Sequence, residues 1–270
     1  MTKMPFLFFL FLFVCISVHA SVDTVKFYSN SLKREVKFVI IQPKNKLKVL
    51  IPSVYLLHGY GGNYKQWLRD APNLQLKAEE LNMILICPDG ANSWYFDSKL
   101  DSSIRYESFL IKDLIPYVDA HYQTLADKKH RAITGLSMGG HGAWYLALRN
   151  QHIFGLAGSI AGGVDFRPFP NNWALKKALG EYSANKEVWD KNTVIEMVDS
   201  LKNGSVKLIF DCGVGDFFYK VNKNLHEKLL TLKIDHDYIE RPGEHNSAYW
   251  SNSIDYQLLF FKKYFDANNF

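Results

Sequence analysis

A serine between two glycines, in Gly135-Leu136-Ser137-Met138-Gly139, is the part of this chain that most directly predicts chemistry. The residues before it, 130–134, resemble a short buried strand, and those after it, 140–148, resemble a helix. A sharp strand-to-helix turn exposes the serine hydroxyl, and the glycines avoid collisions within the turn. Amides at the start of the helix favour negative charge beside the hydroxyl. The pattern predicts a nucleophilic Ser137; the alternative is a glycine-rich turn with an incidental serine.

A nucleophilic serine needs a histidine to accept its proton and a carboxylate to orient that histidine. After such a turn, the expected chain order is serine, then acid, then histidine. His245 follows a predicted strand in a loop, which predicts it as the base; the alternative is a loop histidine that hydrogen-bonds only its neighbours. Asp216 follows another strand in a glycine-rich turn, whereas Asp211 still belongs to the strand end. We therefore predict Asp216 as the acid, with Asp211 as the alternative.

Negative charge on the attacked carbonyl oxygen needs hydrogen-bond donors. The segment His58-Gly59-Tyr60-Gly61-Gly62 follows an apolar strand, and its glycines let a backbone amide bend toward the serine. We predict that the amides of Tyr60 and Met138 form this oxyanion hole. The alternative is that the glycines only form a turn.

No metal and no cofactor is expected. The histidines lack the H-x-x-x-H and the cysteines the C-x-x-C spacing of common metal sites. The sequence also contains no G-x-G-x-x-G and no P-loop pattern for binding phosphates.

The N-terminus resembles a secretory signal peptide. Lys3 precedes an apolar run over 5–18, and Val18-His19-Ala20 fits a cleavage site, so we predict a signal peptide over 1–20. The alternative, an uncleaved anchor, is disfavoured because the run is short for a bilayer span. We expect a secreted or periplasmic protein with no stable membrane insertion after cleavage, and residues 21–270 as one catalytic domain.

Charge argues against a nucleic-acid partner. The chain of 270 residues has 32 Lys plus Arg and 27 Asp plus Glu, a net charge of +5. Cleavage would remove one cation, Lys3, and leave +4 without a basic run. Cys87 and Cys212 end predicted strands, so we expect both to be buried and unpaired, although an exported protein could form a disulfide.

Alternating strands and helices predict an α/β fold: a mostly parallel sheet with helices on both faces and ligands at the carboxyl ends of the strands. Strands are predicted over 24–29, 35–42, 54–58, 83–88, 130–136, 155–160, 206–212 and 236–241, and helices over 107–122, 139–149, 221–232 and 253–265. Residues 161–204 interrupt the alternation and are rich in aromatic side chains. They could form a small cap over the active site or bury only their own aromatics.

Taken together, these segments resemble the esterase D-like branch of the α/β-hydrolases, which includes feruloyl and acetyl-xylan esterases, S-formylglutathione hydrolases and mycolyltransferases. The similarity covers most of residues 21–270. The matching segments are Tyr55-Leu56-Leu57-His58-Gly59 with Gly61-Gly62, Pro88-Asp89-Gly90 with Ser93-Trp94-Tyr95, Tyr106-Glu107 with Asp113-Leu114-Ile115-Pro116-Tyr117, residues 135–142, residues 213–217, and His245 with Trp250.

The resemblance implies the α/β-hydrolase fold and a serine esterase with Ser137, Asp216 and His245 as its triad. Export and the loop with Trp94 and Tyr95 favour acetyl or feruloyl esters of carbohydrates, with both side chains as substrate-binding residues. Trp94 could line an acyl or phenolic pocket or pack beneath the loop. The partner is then a small-molecule or oligosaccharide ester. The alternatives are a thioesterase of the S-formylglutathione type, a general short-chain esterase, and a non-catalytic binding protein.

Overall fold

An eight-stranded sheet forms the centre of the molecule in the computed structural model, which describes residues 20–44 and 49–268. Its central strands are buried along their whole length, because helices cover both faces. The strands are β1 (Ser21–Ser29), β2 (Arg34–Gln42), β3 (Ser53–Leu57), β4 (Ile84–Pro88), β5 (Arg131–Gly135), β6 (Leu156–Ile160), β7 (Lys207–Gly213) and β8 (Asp237–Arg241).

The sheet has the strand order β1-β2-β4-β3-β5-β6-β7-β8. β1 and β2 pair antiparallel, β2 is antiparallel to β4, and the strands from β3 to β8 are parallel. The carboxyl ends of these parallel strands therefore meet at one edge. β5 pairs with β3, with Leu57 opposite Gly135, so the loops that follow the two strands begin side by side.

Helices pack on both faces of the sheet. Along β3, Val54 and Leu56 point into one apolar core, whereas Tyr55 and Leu57 point into the other. The helices are α1 (Gln66–Asp70), α2 (Leu74–Leu81), α3 (Tyr106–Ser108), α4 (Ile115–His121), α5 (Met138–Arg149), α6 (Leu175–Leu179), α7 (Lys186–Lys191), α8 (Val194–Met197), α9 (Tyr219–Thr231) and α10 (Ser247–Ala267). The first core lies under α1, α2 and α10, and the second under α3, α4, α5 and α9.

The predicted α/β alternation is confirmed, with differences in detail. Every predicted strand is present, with its ends shifted by at most a few residues. The helix predicted over 107–122 contains a π-helical stretch, Phe109–Leu114, between α3 and α4. α1 and α2 were not predicted, and neither were the short helices α6, α7 and α8 within residues 161–204. Short 3-10 turns occupy Lys128–His130, Tyr182–Ala184 and Val198–Ser200.

Residues 161–204 both bury their own aromatics and reach the edge of the sheet that carries the site. Phe166 and Trp189 are buried against each other, with ring centroids 5.5 Å apart. Arg167 ties the segment together through ion pairs with its acidic side chains, at 2.8, 2.7 and 2.8 Å to Asp165, Asp190 and Glu196. Other aromatics of the segment contact the loop after β7. Each alternative for this segment therefore describes a part of it.

Cys87 and Cys212 are free and buried, as predicted, and burial raises the pKa of both thiols. The predicted signal peptide lies outside the described residues except for Ala20. Within the described ranges, no helix is both long and apolar enough to cross a membrane. The same part of the chain contains no group of three or more His, Cys, Asp or Glu side chains that could hold a metal ion.

Candidate active site

Ser137 lies in a strained turn between β5 and α5. Its backbone has φ 56° and ψ −117°, a conformation that costs free energy for a residue with a side chain. The turn is held by hydrogen bonds from the Ser137 amide to the Ile160 carbonyl, at 2.9 Å, and from the Gly139 amide to the Leu136 carbonyl, at 2.7 Å. Ser137 is partly exposed, whereas the other residues of 131–140 are buried. The turn therefore leaves the serine side chain partly accessible to solvent, although the strand before it and the helix after it are buried.

The two glycines of the turn are required by close packing. A Cβ atom on Gly135 would lie 2.5 Å from the backbone of Gly139, and one on Gly139 would lie 2.4 Å from the Leu57 carbonyl oxygen. Both distances are far shorter than van der Waals contact. Glycine is therefore needed on both sides of Ser137, because the backbone segments of β3, β5 and α5 are in direct contact there.

Two loops carry the predicted acid and base, and they are joined by backbone hydrogen bonds. The loop after β7 donates from the Val214 amide to the Arg241 carbonyl and from the Gly215 amide to the Gly243 carbonyl, both at 2.9 Å. These bonds align the loop after β8 with the loop after β7. Asp216 and His245, which are 29 positions apart in sequence, therefore meet at the same edge of the sheet. The glycines of both loops allow this approach.

Ser137, His245 and Asp216 form one continuous chain of hydrogen bonds. The Ser137 Oγ lies 2.8 Å from the His245 Nε2, and the His245 Nδ1 lies 2.7 Å from the Asp216 Oδ2. The other carboxylate oxygen of Asp216 accepts from the Phe218 amide at 2.8 Å, which fixes the carboxylate. The Asp216 side chain is fully buried, whereas the His245 side chain is 15% exposed. With Asp216 accepting the Nδ1–H, the Nε2 is left to accept the serine proton.

Asp211, the alternative acid, lies beneath this chain and does not contact His245. Its carboxylate accepts hydrogen bonds from Ser253 at 2.6 Å and from Gln257 at 2.8 Å, and lies 3.3 Å from the Arg241 guanidinium. An aspartate at a strand end is expected to hydrogen-bond nearby backbone groups, and Asp211 instead binds these three side chains. Burial raises the pKa of Asp211, although the Ser253 hydrogen bond and the charge of Arg241 oppose the shift. Asp211 therefore connects β7, β8 and α10 within the interior.

The loop after β3 lies against Ser137. A Cβ on Gly59 would be 3.4 Å from the Cβ of Ser137, so the backbone that carries the Tyr60 amide borders Ser137. The Met138 amide belongs to the first residue of α5 and points away from the helix ladder. In residues 20–44 and 49–268, neither amide donates to a protein acceptor. Both predicted donors thus lie beside Ser137 with unpaired N–H groups.

His58 fixes the peptide that carries the Tyr60 amide. The Gly90 amide donates to the His58 Nε2 at 2.8 Å, so the proton of the imidazole is on Nδ1. This Nδ1–H donates to the Gly59 carbonyl at 2.8 Å, and the Gly62 amide donates to the same oxygen at 3.0 Å. Because the Gly59 carbonyl and the Tyr60 N–H belong to one planar peptide, holding the carbonyl sets the direction of the N–H.

Trp94 and Tyr95, the predicted substrate-binding residues, are both buried. The Tyr95 hydroxyl donates to the His58 carbonyl at 3.1 Å, and its ring packs against the backbone of Gly90 and Gly142. The Trp94 Nε1 donates to the Trp173 carbonyl at 3.2 Å. Both residues have positive φ, 54° and 64°. Their burial agrees with the packing alternative for Trp94, and in this conformation neither ring is available at the surface.

The aromatic side chains that surround His245 come instead from the loop after β7 and from α10, and residues 161–204 add a further ring behind them. The ring centroid of Phe217 lies 4.3 Å from that of His245, and those of Phe218 and Trp250 lie 5.6 and 5.2 Å away. Trp173 stacks on Phe217 at 5.8 Å. Phe217 and Trp250 belong to segments that match the family, but no substrate-binding role was predicted for them, although two consecutive aromatics directly after the predicted acid were a signal.

The chain matches a known protein family over most of its length. The model of the Esterase family matches residues 29–261. The chain belongs to the Esterase family. The match includes all of the predicted site residues, and the chemistry of the protein is accordingly the hydrolysis of carboxylic esters.

Individual relatives agree with this Esterase family assignment. An acetyl esterase from Caldicellulosiruptor saccharolyticus is 28% identical over 251 residues, which cover 85% of this chain and 94% of that protein. Among solved structures, the fluorophosphonate-binding serine hydrolase F of Staphylococcus aureus has a TM-score of 0.81 at 18% identity, covering 90% of this chain and 98% of the other. A ferulic acid esterase has a TM-score of 0.79 at 24% identity, covering 92% of this chain and 100% of the other. The fold is the α/β-hydrolase fold, as predicted.

Proposed function

We propose that this esterase works through an acyl-enzyme on Ser137, with His245 as general base and acid and Asp216 as the residue that orients His245. The observation that carries the proposal is the unbroken hydrogen-bonded chain from the Ser137 Oγ through His245 to Asp216, with distances of 2.8 and 2.7 Å. Serine nucleophiles need such an arrangement because the hydroxyl alone is a weak nucleophile.

In acylation, the Ser137 Oγ attacks the carbonyl carbon of the ester while the His245 Nε2 takes the hydroxyl proton. The carbonyl oxygen becomes an oxyanion, which accepts hydrogen bonds from the amides of Tyr60 and Met138. Asp216 stabilises the resulting imidazolium. The bond between the carbonyl carbon and the alcohol oxygen then breaks, and His245 returns its proton to the leaving alcohol. Ser137 now carries the acyl group, and His245 is neutral again.

In deacylation, a water molecule attacks the acyl carbon and His245 takes one of its protons. The same two amides stabilise the second oxyanion. When the bond between this carbon and the Ser137 Oγ breaks, His245 gives its proton to the serine. The products are a carboxylic acid and the regenerated enzyme, and no cofactor takes part in either step.

We further propose carbohydrate esters of acetic or ferulic acid as substrates, hydrolysed outside the cytoplasm. Supporting this are the acetyl esterase relative and the fold shared with a ferulic acid esterase, together with the pattern of residues 1–20. Expression of the full chain in an exporting host should yield a protein whose N-terminus is Ser21. N-terminal sequencing of the exported protein measures this, and an intact Met1 on exported protein would contradict cleavage after Ala20.

The experiment for the proposed function is an ester panel with active-site labelling. The panel combines acetyl, feruloyl and longer-chain acyl groups with two kinds of alcohol, a carbohydrate and a simple alcohol. The wild-type protein should have its highest kcat/KM with an acetylated or feruloylated carbohydrate. An organophosphate should abolish this activity with one label per chain, on the peptide that contains Ser137. Inactivation with the label on any other peptide would remove Ser137 from the mechanism.

A further inference from the structure

An aromatic surface borders the catalytic histidine on one side. We define the aromatic shelf as Phe169, Trp173, Phe217 and Phe218. Phe217 is its outermost member: 51% of its surface is exposed, and its ring lies 4.3 Å from the imidazole of His245. Trp173 stacks on Phe217 with an angle of 21° between the rings. Phe218, which is buried, lies 4.6 Å from Phe217 and 5.1 Å from Trp173.

The aromatic shelf is fixed relative to the triad. The Phe218 amide donates to the carboxylate of Asp216, so the residue after Phe217 is tied to the acid. The Trp173 carbonyl accepts from the buried Trp94 Nε1. Phe169 supports Trp173 and Phe218 from behind, at 5.4 Å from each. An exposed aromatic ring with this much rigid support is a surface to which a ligand can bind at little entropic cost.

The chemistry of His245 determines which half of the ester lies on the aromatic shelf. During acylation, its Nε2 passes a proton to the oxygen of the leaving alcohol, so that oxygen must come within about 3 Å of Nε2. The acyl carbonyl oxygen points instead to the amides of Tyr60, in the loop after β3, and Met138, at the start of α5. The group attached to the leaving oxygen therefore lies beside His245, where Phe217 is the exposed ring.

We infer that the aromatic shelf binds the alcohol half of the substrate, and that this alcohol is a sugar whose ring lies on Phe217. The inference rests on the proposed function, which it deepens. A pyranose ring has a face of C–H groups of a size similar to a benzene ring. Contact between that face and Phe217 removes apolar surface of both from water, while the hydroxyl groups at the edge of the sugar stay solvated.

Four esters separate the two halves of the substrate: methyl acetate, methyl ferulate, and the acetate and ferulate of one xylo-oligosaccharide. For Phe217→Ala, kcat/KM should fall roughly tenfold for both sugar esters, the loss expected when one aromatic contact is removed. It should stay within twofold for both methyl esters. Phe217→Trp should recover most of the loss. Tyr28→Ala, which removes a 58% exposed aromatic of the edge strand β1, is the matched control and should change none of the four values.

Three results would overturn the inference. A loss confined to the two ferulates would assign the aromatic shelf to the acyl group. An equal loss for all four esters would mean that Phe217 acts by positioning His245. No loss would mean that the shelf does not contact substrate.

Binding of the free sugar is measured separately from catalysis. Titration calorimetry of the Ser137→Ala protein with the same xylo-oligosaccharide should detect binding that the added Phe217→Ala change weakens roughly tenfold. If the wild-type protein hydrolyses no ester but the sugar binds in this way, the proposed function fails and the aromatic shelf stands. If esters are hydrolysed but the sugar binds equally with or without Phe217, the inference fails and the proposed function stands.

Discussion

At the scale of single residues, each member of the proposed triad has a different local cause for its position. Ser137 is partly exposed because it lies in a strained turn with φ 56°. The packing of β5 and α5 offsets the free energy of this strain. His245 is held through its Nδ1 by Asp216, and Asp216 in turn by the Phe218 amide. The position of the nucleophile therefore depends on its own turn, whereas that of the base depends on a neighbouring loop.

The two aspartates of the β7 region should respond differently to the same change. Asp216→Asn should lower kcat by up to about four orders of magnitude, because the amide no longer holds the His245 tautomer that accepts the serine proton. Asp211→Asn should keep most of its turnover but lower the free energy of unfolding, because it leaves the buried guanidinium of Arg241 without its anion. Steady-state kinetics and urea unfolding of both variants measure this. A folded, inactive Asp211→Asn beside an active Asp216→Asn would reverse the assignment.

The residues of the candidate site could be predicted from sequence where a short motif fixes the backbone, and not where contact depends on distant segments. The glycines around Ser137 and the strand ends before Asp216 and His245 were sufficient signals. Trp94 and Tyr95 were predicted as substrate-binding residues because their loop resembles the substrate-side loop of the family. Their positive φ values and inward packing depend on residues far along the chain, which no local pattern reports.

At the scale of elements, the proposed oxyanion hole depends on how two loops hold each other. The loop after β3 has a turn with Gly61 at φ 78°, and the Gly61 amide donates to the Asn92 side chain, in the loop after β4, at 2.7 Å. The Gly90 amide of that loop in turn binds His58. The peptide that carries the Tyr60 amide is therefore held in place by side chains and backbone of two loops.

His58 should be a positioning residue for the Tyr60 amide. His58→Phe keeps the ring but removes the donor to the Gly59 carbonyl, so kcat should fall by about tenfold to a hundredfold while KM changes little. Complete loss of one oxyanion donor costs 10²–10³-fold, roughly the upper limit. His58→Asn, whose side-chain amide can donate from a similar position, should recover part of the loss. A folded His58→Phe protein with kcat within twofold of the wild type would contradict this role.

Strands and helices could be predicted where burial produces a clear pattern of apolar residues in the sequence. β3 and β4 are nearly continuous apolar runs because both of their faces are covered, so they stand out in the sequence. α1 and α2 are short and have only a few buried residues, so their periodicity is weak. The π-helical stretch before α4 keeps the apolar composition of a helix and changes only its hydrogen bonding, which composition does not record.

At the scale of the whole molecule, His141 connects the nucleophile helix to residues 161–204. It lies one turn after Ser137 on α5, and its Nε2 donates to the Asn192 carbonyl at 2.9 Å. Its ring is enclosed by aromatics, including Phe96 and Phe166 at 5.4 and 5.1 Å. Burial lowers the pKa of His141 to about 4, although the hydrogen bond to Asn192 opposes the shift.

This buried histidine should make folding stability depend on pH. The unfolded chain binds a proton at His141 below about pH 6.5, whereas the folded protein does so only below about pH 4. Stability is therefore lost as pH falls between these values, by about 2 kcal/mol from pH 7.5 to pH 5. Urea unfolding at the two pH values measures the loss. His141→Gln, which can still donate to Asn192 but does not titrate, should lose correspondingly less, and an equal loss in both proteins would exclude His141 as the cause.

The most direct test of the proposed mechanism is kcat/KM of the Ser137→Ala variant with the best ester of the wild-type protein. The hydroxyl is needed only for chemistry, so melting should stay close to that of the wild type or rise slightly. In other serine hydrolases, loss of the nucleophile costs several orders of magnitude, and kcat/KM should fall here by about four orders or more. A folded variant that keeps kcat/KM within tenfold of the wild type would contradict the mechanism.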